Sequence, residues 1–202
     1  VISKTAKLRF RPGNDDLANA IPLAALGGWT IGDSRDATKE AGEPDHAGDA
    51  GGSSVWYRWV PGVSAMAVLD TWGSLFDTLL AVYRGTALTG LTLVAANDDG
   101  MGFLGQSSVS FPVEAGVAYS IAVDGYGGAA GQIVLNWSFE APVFGSTTVQ
   151  DGAVRLQVGA PARSIVVIEA SADLQHWRPV STNMVLDAGL SGWEVPVTPG
   201  VQ

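Results

Sequence analysis

The chain has 202 residues, 47% of them hydrophobic and 15% charged, with 26 glycines, no cysteine and a net charge of −9. That much apolar material excludes a disordered chain, and the missing cysteine excludes disulfides, thiolate metal sites and cysteine nucleophiles. The acidic balance argues against nucleic acid and an anionic membrane surface as partners, because both need a basic face.

No stretch approaches the roughly 18 unbroken apolar residues of a transmembrane helix. The opening VISKTAKLRF has no apolar signal-peptide core, so a leader is expected to be already removed or to lie outside the chain. Residues 1–12 read as an extended lead-in. In GNDDLANAIPLAAL, Asn14 or Asp15 is expected to cap one helical turn that ends near Pro22. A strand is expected over 27–31, and the polar, acidic, Gly-rich run 32–53 is too long for a simple turn, so it reads as a functional or ion-ordered loop. Strands follow at 54–60, 65–71, 78–83, 91–96, 107–113, 117–124 and 132–139. Their spacing of roughly ten residues, punctuated by Gly or Pro, predicts an antiparallel sandwich or jelly roll.

Pro142 and FGSTTVQDG mark a change of character. Beyond them, short strands at 153–158, 164–170, 177–180, 183–186 and 192–197 predict a smaller β unit of about 60 residues, near the lower limit for an independent core. The organisation expected is therefore a lead-in at 1–12, an all-β jelly-roll-like antiparallel sandwich at 13–141, and a smaller β-sandwich unit at 142–202 that is complete or cut short.

Two strands stand out. Alternation in TLLAVY puts Leu80 and Val82 on one face and Leu79, Ala81 and Tyr83 on the other, both apolar, which predicts a central, well-covered strand. In SSVWYRWVPG, Val55, Tyr57 and Trp59 alternate with Trp56, Arg58 and Val60, so one set is expected buried and the other partly exposed. Acidic groups cluster where strands meet loops: Asp70, Asp77, Asn97, Asp98, Asp99 and Asp124. Hard oxygen ligands at strand ends either bind a cation such as Ca²⁺ or form solvated Asx turns. Asp77, between Phe76 and Thr78, is the member expected to be structural, buried and hydrogen-bonded to turn backbone. No EF-hand loop or HExxH is present.

NDDLANAIPL, GDSRDATKEAGEP, SSVWYRW, LDTWGSLFDTLLAVYRG, LTLVAANDD and AYSIAVDGYGGAAGQIVLNW occur in order and together resemble the bacterial pre-peptidase C-terminal domain family over about residues 13–140. The resemblance implies a jelly-roll-like sandwich attached as an accessory to secreted peptidases and other extracellular proteins. That family includes the collagen-binding domains of clostridial collagenases, whose N-terminal acids bind Ca²⁺. It implies a calcium site at Asn14, Asp15, Asp16, Asp33, Asp36, Glu40 and Glu43, although this chain has Arg11, Pro12 and Gly13 where the clostridial domains carry glutamates. The tail IEASADLQHWRPVSTN resembles a small β module with fibronectin type III character found in large secreted bacterial proteins.

Catalysis is not expected. The two histidines, His46 and His176, read as exposed loop residues without a role, and a Ser-His-Asp arrangement has no support. DGYGGAAG and GDAGG precede strands, so they are turns rather than phosphate loops. Seven tryptophans are many for this length, and Trp72 and Tyr126, placed in loops, are the aromatic residues expected to contact a ligand. The reading is a non-catalytic accessory module of a secreted or cell-surface protein. It binds an extracellular polymer, protein or polysaccharide, or neighbouring domains of the parent polypeptide, with loops ordered by calcium. The alternatives are a spacer with no ligand of its own and, remotely, a glycoside-active enzyme using carboxylates such as Asp70 and Asp77.

Overall fold

The computed structural model describes residues 10–100, 105–140, 143–150, 153–160, 165–184 and 189–196. Most of the expected 1–12 lead-in, the boundary residue Pro142 and the end of the last expected strand lie outside them. Among the described residues the chain is strand, turn and three short 3-10 segments. The strands are β1 (Ile21–Pro22), β2 (Gly28–Asp33), β3 (Val55–Trp59), β4 (Ala65–Asp70), β5 (Thr78–Arg84), β6 (Thr92–Asn97) and β7 (Ser108–Val113). They continue as β8 (Tyr119–Gly125), β9 (Gln132–Phe139), β10 (Val143–Gln150), β11 (Ala153–Ala160), β12 (Ile165–Ala170), β13 (Arg178–Met184) and β14 (Gly189–Pro196).

Alternation builds the first unit. One sheet runs β1-β3-β8-β5-β6 and the other β2-β9-β4-β7. From the first, Val55, Tyr57, Trp59, Leu80, Val82 and Ile121 point inward; from the second, Leu69, Phe111, Ile133, Leu135, Trp137 and Phe139 meet them in one buried core. This is an all-β sandwich. The indoles of Trp59 and Trp137 both donate to the Ala24 carbonyl, at 3.0 and 2.9 Å, which satisfies their only polar atoms.

The five-stranded sheet is covered on its far face as well. Leu17, Trp56, Ala81, Tyr83 and Ala122 form a second apolar layer there. β5 is consequently buried along its length except at Arg84, as its two apolar faces predict. In β3 the aromatic residues of both alternating sets are buried: of the Trp56 set only Arg58 and Val60 are exposed, and Trp56 is buried as fully as Tyr57 and Trp59. The cause is the 32–53 loop, which lies over this face and inserts His46 against the Trp56 ring, centroid to centroid 5.4 Å. His46 is fully buried rather than an exposed loop residue, and both ring nitrogens are satisfied: Nδ1 lies 2.8 Å from the Tyr83 hydroxyl and Nε2 2.7 Å from Glu43 Oε1. His176 is exposed beside Asp173.

Three further expectations change. The helical turn reduces to a 3-10 segment at Leu17–Asn19 behind Asp16, and Ile21–Pro22 instead pairs in parallel with β3 at the sheet edge, where a proline costs no ladder bond. FGSTTVQDG supplies most of β10, which pairs with β11; its period is masked by a register shift between Phe144 and Thr147. The described residues 178–180 and 183–184 of the two expected pieces belong to one strand, β13, paired through Ser181 and Thr182 with β12, and residues 185–186 lie outside the described residues. Beyond the first sandwich, sheets β10-β11-β14 and β12-β13 share a small core of Val158, Ala160, Val166 and Ile168.

Candidate metal centre

β5 and β6 pair antiparallel with Leu80 opposite Asn97. Extending that register past the strand ends brings Asp77, just before β5, beside Asp98 and Asp99, just after β6. A knot of buried hydroxyls holds the loops beneath them. Thr71 Oγ1 and Thr78 Oγ1 are 2.6 Å apart, the Ser107 N–H donates to both, and the Ser107 hydroxyl reaches the carbonyls of Thr78 and Asp98. Asn97 braces the turn: its Oδ1 accepts the Ser108 N–H at 2.9 Å and its Nδ2 donates to the Asp99 carbonyl at 3.1 Å. Gly105 packs so closely that a Cβ there would lie 2.3 Å from Asp77 Oδ1, and its φ of +68° already favours glycine.

Asp77, Asp98 and Asp99 each offer a carboxylate oxygen within 4.8 Å of the others'. Oxygens on opposite sides of one calcium ion, each bonded at about 2.3–2.6 Å, stand about that far apart. Oδ1 of Asp77 and Oδ1 of Asp98 are buried with no hydrogen-bond partner among the described residues. The expectation that Asp77 is satisfied by turn backbone therefore does not hold for that oxygen; the next N–H in the chain, that of Thr78, donates to the Gly105 carbonyl at 2.9 Å, and the Asp77 main-chain carbonyl accepts from Tyr126 N–H at 3.1 Å. Burial raises the Asp77 carboxyl above the ordinary carboxylate range, and the charges of Asp99 and Asp49 add to it. Asp98 is raised likewise, by burial first and then by Asp77, Asp99 and Asp49.

Asp49 is a neighbour that the sequence reading did not single out. Its Oδ1 accepts the N–H groups of Gly51 and Gly127 at 2.8 and 3.2 Å. It lies 28 residues before Asp77 in a glycine-rich loop, and nothing local in the sequence signals the approach.

The other candidate residues are placed differently. Asp124 is fully buried, and its carboxylate accepts the N–H groups of Gly52, Ser53 and Gly125, tying the 32–53 loop to β8. Asp70 Oδ1 accepts Trp72 N–H at 2.9 Å and Asn136 Nδ2 at 2.7 Å, and burial raises its carboxyl. Asp15 accepts from the Thr38 N–H and hydroxyl and pairs with Arg11 at 3.0 Å. Asn14 Nδ2 donates to the Trp56 carbonyl, Glu40 caps Leu17 N–H, and Glu43 holds His46 and the Glu40 N–H. Asp33 binds Arg35. Asp16 precedes the 3-10 segment without a side-chain cap bond, and Asp36 adopts a left-handed φ of 62°. Asn14, Asp33 and Asp36 line a shallow cleft that also carries Arg11 and Arg35. Among the described residues, the acids that converge on one point are Asp77, Asp98 and Asp99.

Trp72 and Tyr126 are both about half exposed. Tyr126 stands at the rim of the acidic cluster through its N–H bond to Asp77. Trp72 stands elsewhere, over the outer face of the four-stranded sheet, where its carbonyl accepts from Asn136 Nδ2 at 3.1 Å.

No family model matches the chain, and no curated protein matches it. Solved structures do. One is the pre-peptidase C-terminal domain of collagenase from Bacillus anthracis, 13% identical, with a TM-score of 0.40, covering 59% of this chain and 94% of that one. The likeness is distant. No helix among the described residues is long and apolar enough to cross a membrane.

Proposed function

We propose that the chain is a non-catalytic binding module of a larger secreted or cell-surface polypeptide, one end of which is ordered by calcium. The observation that carries the reading is the pair of buried oxygens of Asp77 and Asp98, without a partner among the described residues, within a cluster of three carboxylates. An ionised oxygen buried without a partner is costly, and like charges in contact add to that cost. A divalent cation removes both penalties at once. The donors are all hard oxygens, which suit Ca²⁺, and backbone carbonyls or water complete its shell of six to eight. Three carboxylates in a partly exposed site match the weak class of extracellular modules, with dissociation constants on the order of 10⁻⁴–10⁻³ M.

The residues argue for binding rather than chemistry. His46 is enclosed between Glu43 and Tyr83 and cannot reach a substrate. Asp70 is fixed in place through Oδ1 by the Trp72 N–H and Asn136 Nδ2. Calorimetric titration of the chain with CaCl₂ is the direct test. Saturable binding that Asp98→Asn abolishes is expected, and no heat at millimolar calcium overturns the reading.

A further inference from the structure

The outer face of the four-stranded sheet is built unlike the rest of the surface. Its strands run β2-β9-β4-β7, and register places Trp29 opposite Asn136 and Asn136 opposite Asp70. Trp29 is 53% exposed and Trp72 49%. Asn136 Nδ2 donates to Asp70 Oδ1 at 2.7 Å and to the Trp72 carbonyl at 3.1 Å, so one amide fixes the Asp70 carboxylate and the Trp72 backbone together. The turn carrying Trp72 is pressed onto the sheet: at Gly73 a Cβ would lie 3.1 Å from the Val134 side chain. Two half-exposed tryptophans thus border a hydrogen-bonded Asp–Asn pair, Trp29 across the sheet from Asn136 and Trp72 in the turn that Asn136 holds. Among the described residues, the bonds of that pair leave Asp70 Oδ2 and Asn136 Oδ1 open as acceptors.

We infer that this face binds a neutral polysaccharide chain, with Trp29 and Trp72 stacking on sugar rings and the Asp70–Asn136 pair accepting sugar hydroxyls. The inference rests on the binding-module reading and supplies its ligand class, but it does not use the acidic cluster. Charge selects the occupant. No Lys or Arg occurs in any of the four strands, so an anionic polymer finds no counter-charge there. Covering Asp70 with an apolar peptide surface would strand its second oxygen without a partner, at the cost of an unsatisfied buried group. A sugar meets both demands. Its hydroxyls donate to Asp70 and Asn136, while its C–H faces lie on the indoles, which offer large apolar area beside a polar handle. Trp29 was hidden among seven tryptophans; the signal is its alternation with Gly28, Thr30 and Gly32, which places it and Ile31 on the side away from the core.

The test is affinity electrophoresis of the whole chain through gels containing hydroxyethylcellulose, xylan, β-glucan or glycol chitin, with heparin and gelatin gels alongside. Retardation by at least one neutral glycan is expected, weakened at least tenfold by Trp29→Ala and by Trp72→Ala separately, with the circular dichroism of both variants unchanged. Both indoles are half exposed, so these variants are expected to fold; a variant that does not is replaced by Trp→Gln at the same position. Retardation is expected to persist in Asp98→Asn and in chelator, so loss of the calcium reading and loss of the sugar reading are separate results. No retardation by any neutral glycan overturns the inference. So does retardation indifferent to both tryptophans, or retardation by heparin or gelatin alone that the same substitutions abolish.

Discussion

Replacing Asp98 with Asn tests the electrostatics of the acidic end most directly. Without calcium, Asp98 and Asp77 hold carboxylate oxygens within 4.8 Å of each other, with Oδ1 of each buried and without a partner among the described residues. Two unit charges at that distance repel by about 3.5 kcal/mol at an effective dielectric of 20 and by about 0.9 kcal/mol in bulk water. Both residues are only partly buried, so the repulsion relieved lies near the lower end, about 1–2 kcal/mol. For a domain of this size, that raises the melting temperature of Asp98→Asn above wild type by roughly 3–6 °C in chelator. In calcium the order reverses. Ligand at a hundred times its dissociation constant stabilises wild type by about 2.7 kcal/mol, whereas the variant has lost a ligand and gains little. The two melting temperatures are therefore expected to cross between chelator and saturating calcium. The pH dependence has a matching sign. The Asp77 and Asp98 carboxyls are raised in the folded state, so the stability they contribute is present below the ordinary value of 3.8 and lost as pH rises through the raised folded values. The apo advantage of Asp98→Asn should accordingly vanish near the acid end of the titration and shrink in high salt. If Asp98→Asn is destabilised equally in chelator and in calcium, Asp98 is a structural group and the reasoning is wrong.

Other residues give independent expectations. Asp124→Ala removes a buried carboxylate that satisfies three backbone N–H groups and should destabilise by about 3 kcal/mol or more, read by urea unfolding. Gly51→Ala should be comparably harmful, because φ is +55° and the new Cβ would fall 1.8 Å from Asp124 Oδ2; an unchanged midpoint would refute that placement of the loop. Leu135→Ala, a fully buried core residue, should cost about 2–5 kcal/mol by the same measurement. Burial pushes the Glu43 carboxyl up, but bonds from His46, Ser54 and the Glu40 N–H outweigh it and leave the group below its ordinary 4.5. Its contribution is therefore present above that value and lost as pH falls through the lowered folded value. Amide exchange across 37–53 should accelerate there before that of β5 and β8, and simultaneous release would show that the loop is not held by Glu43.

The sandwich was legible because its signal is local: short apolar runs about ten residues apart, punctuated by Gly or Pro, mark the strands, and the two apolar faces of β5 predict the covered central strand that the structure shows. The failures have physical causes of one kind. Trp56 alternates like a half-exposed residue and is buried because a loop 10 residues earlier in sequence returns to cover it with His46, a long-range contact that alternation does not encode. β10 escaped notice because Gly145 and Ser146 fall at its register shift and look like a turn.

The acidic residues make the same point more sharply. Asp15, Glu40 and Glu43 on one side, and Asp77, Asp98 and Asp99 on the other, are indistinguishable as composition: both are acids at the edges of loops. What separates them is where the hydrogen-bond donors lie. The 32–53 loop folds back on itself and on the segment around Leu17, so Glu40 and Glu43 find N–H groups and His46, and Asp15 finds the Thr38 N–H and hydroxyl and Arg11. At the β5 and β6 ends the nearby hydroxyls of Thr71, Thr78 and Ser107 are already bonded to one another and to carbonyls, which leaves Asp77 and Asp98 with oxygens that no donor on the chain reaches among the described residues. A residue type fixes what a side chain can accept; only the three-dimensional supply of donors decides whether it remains open to a cation.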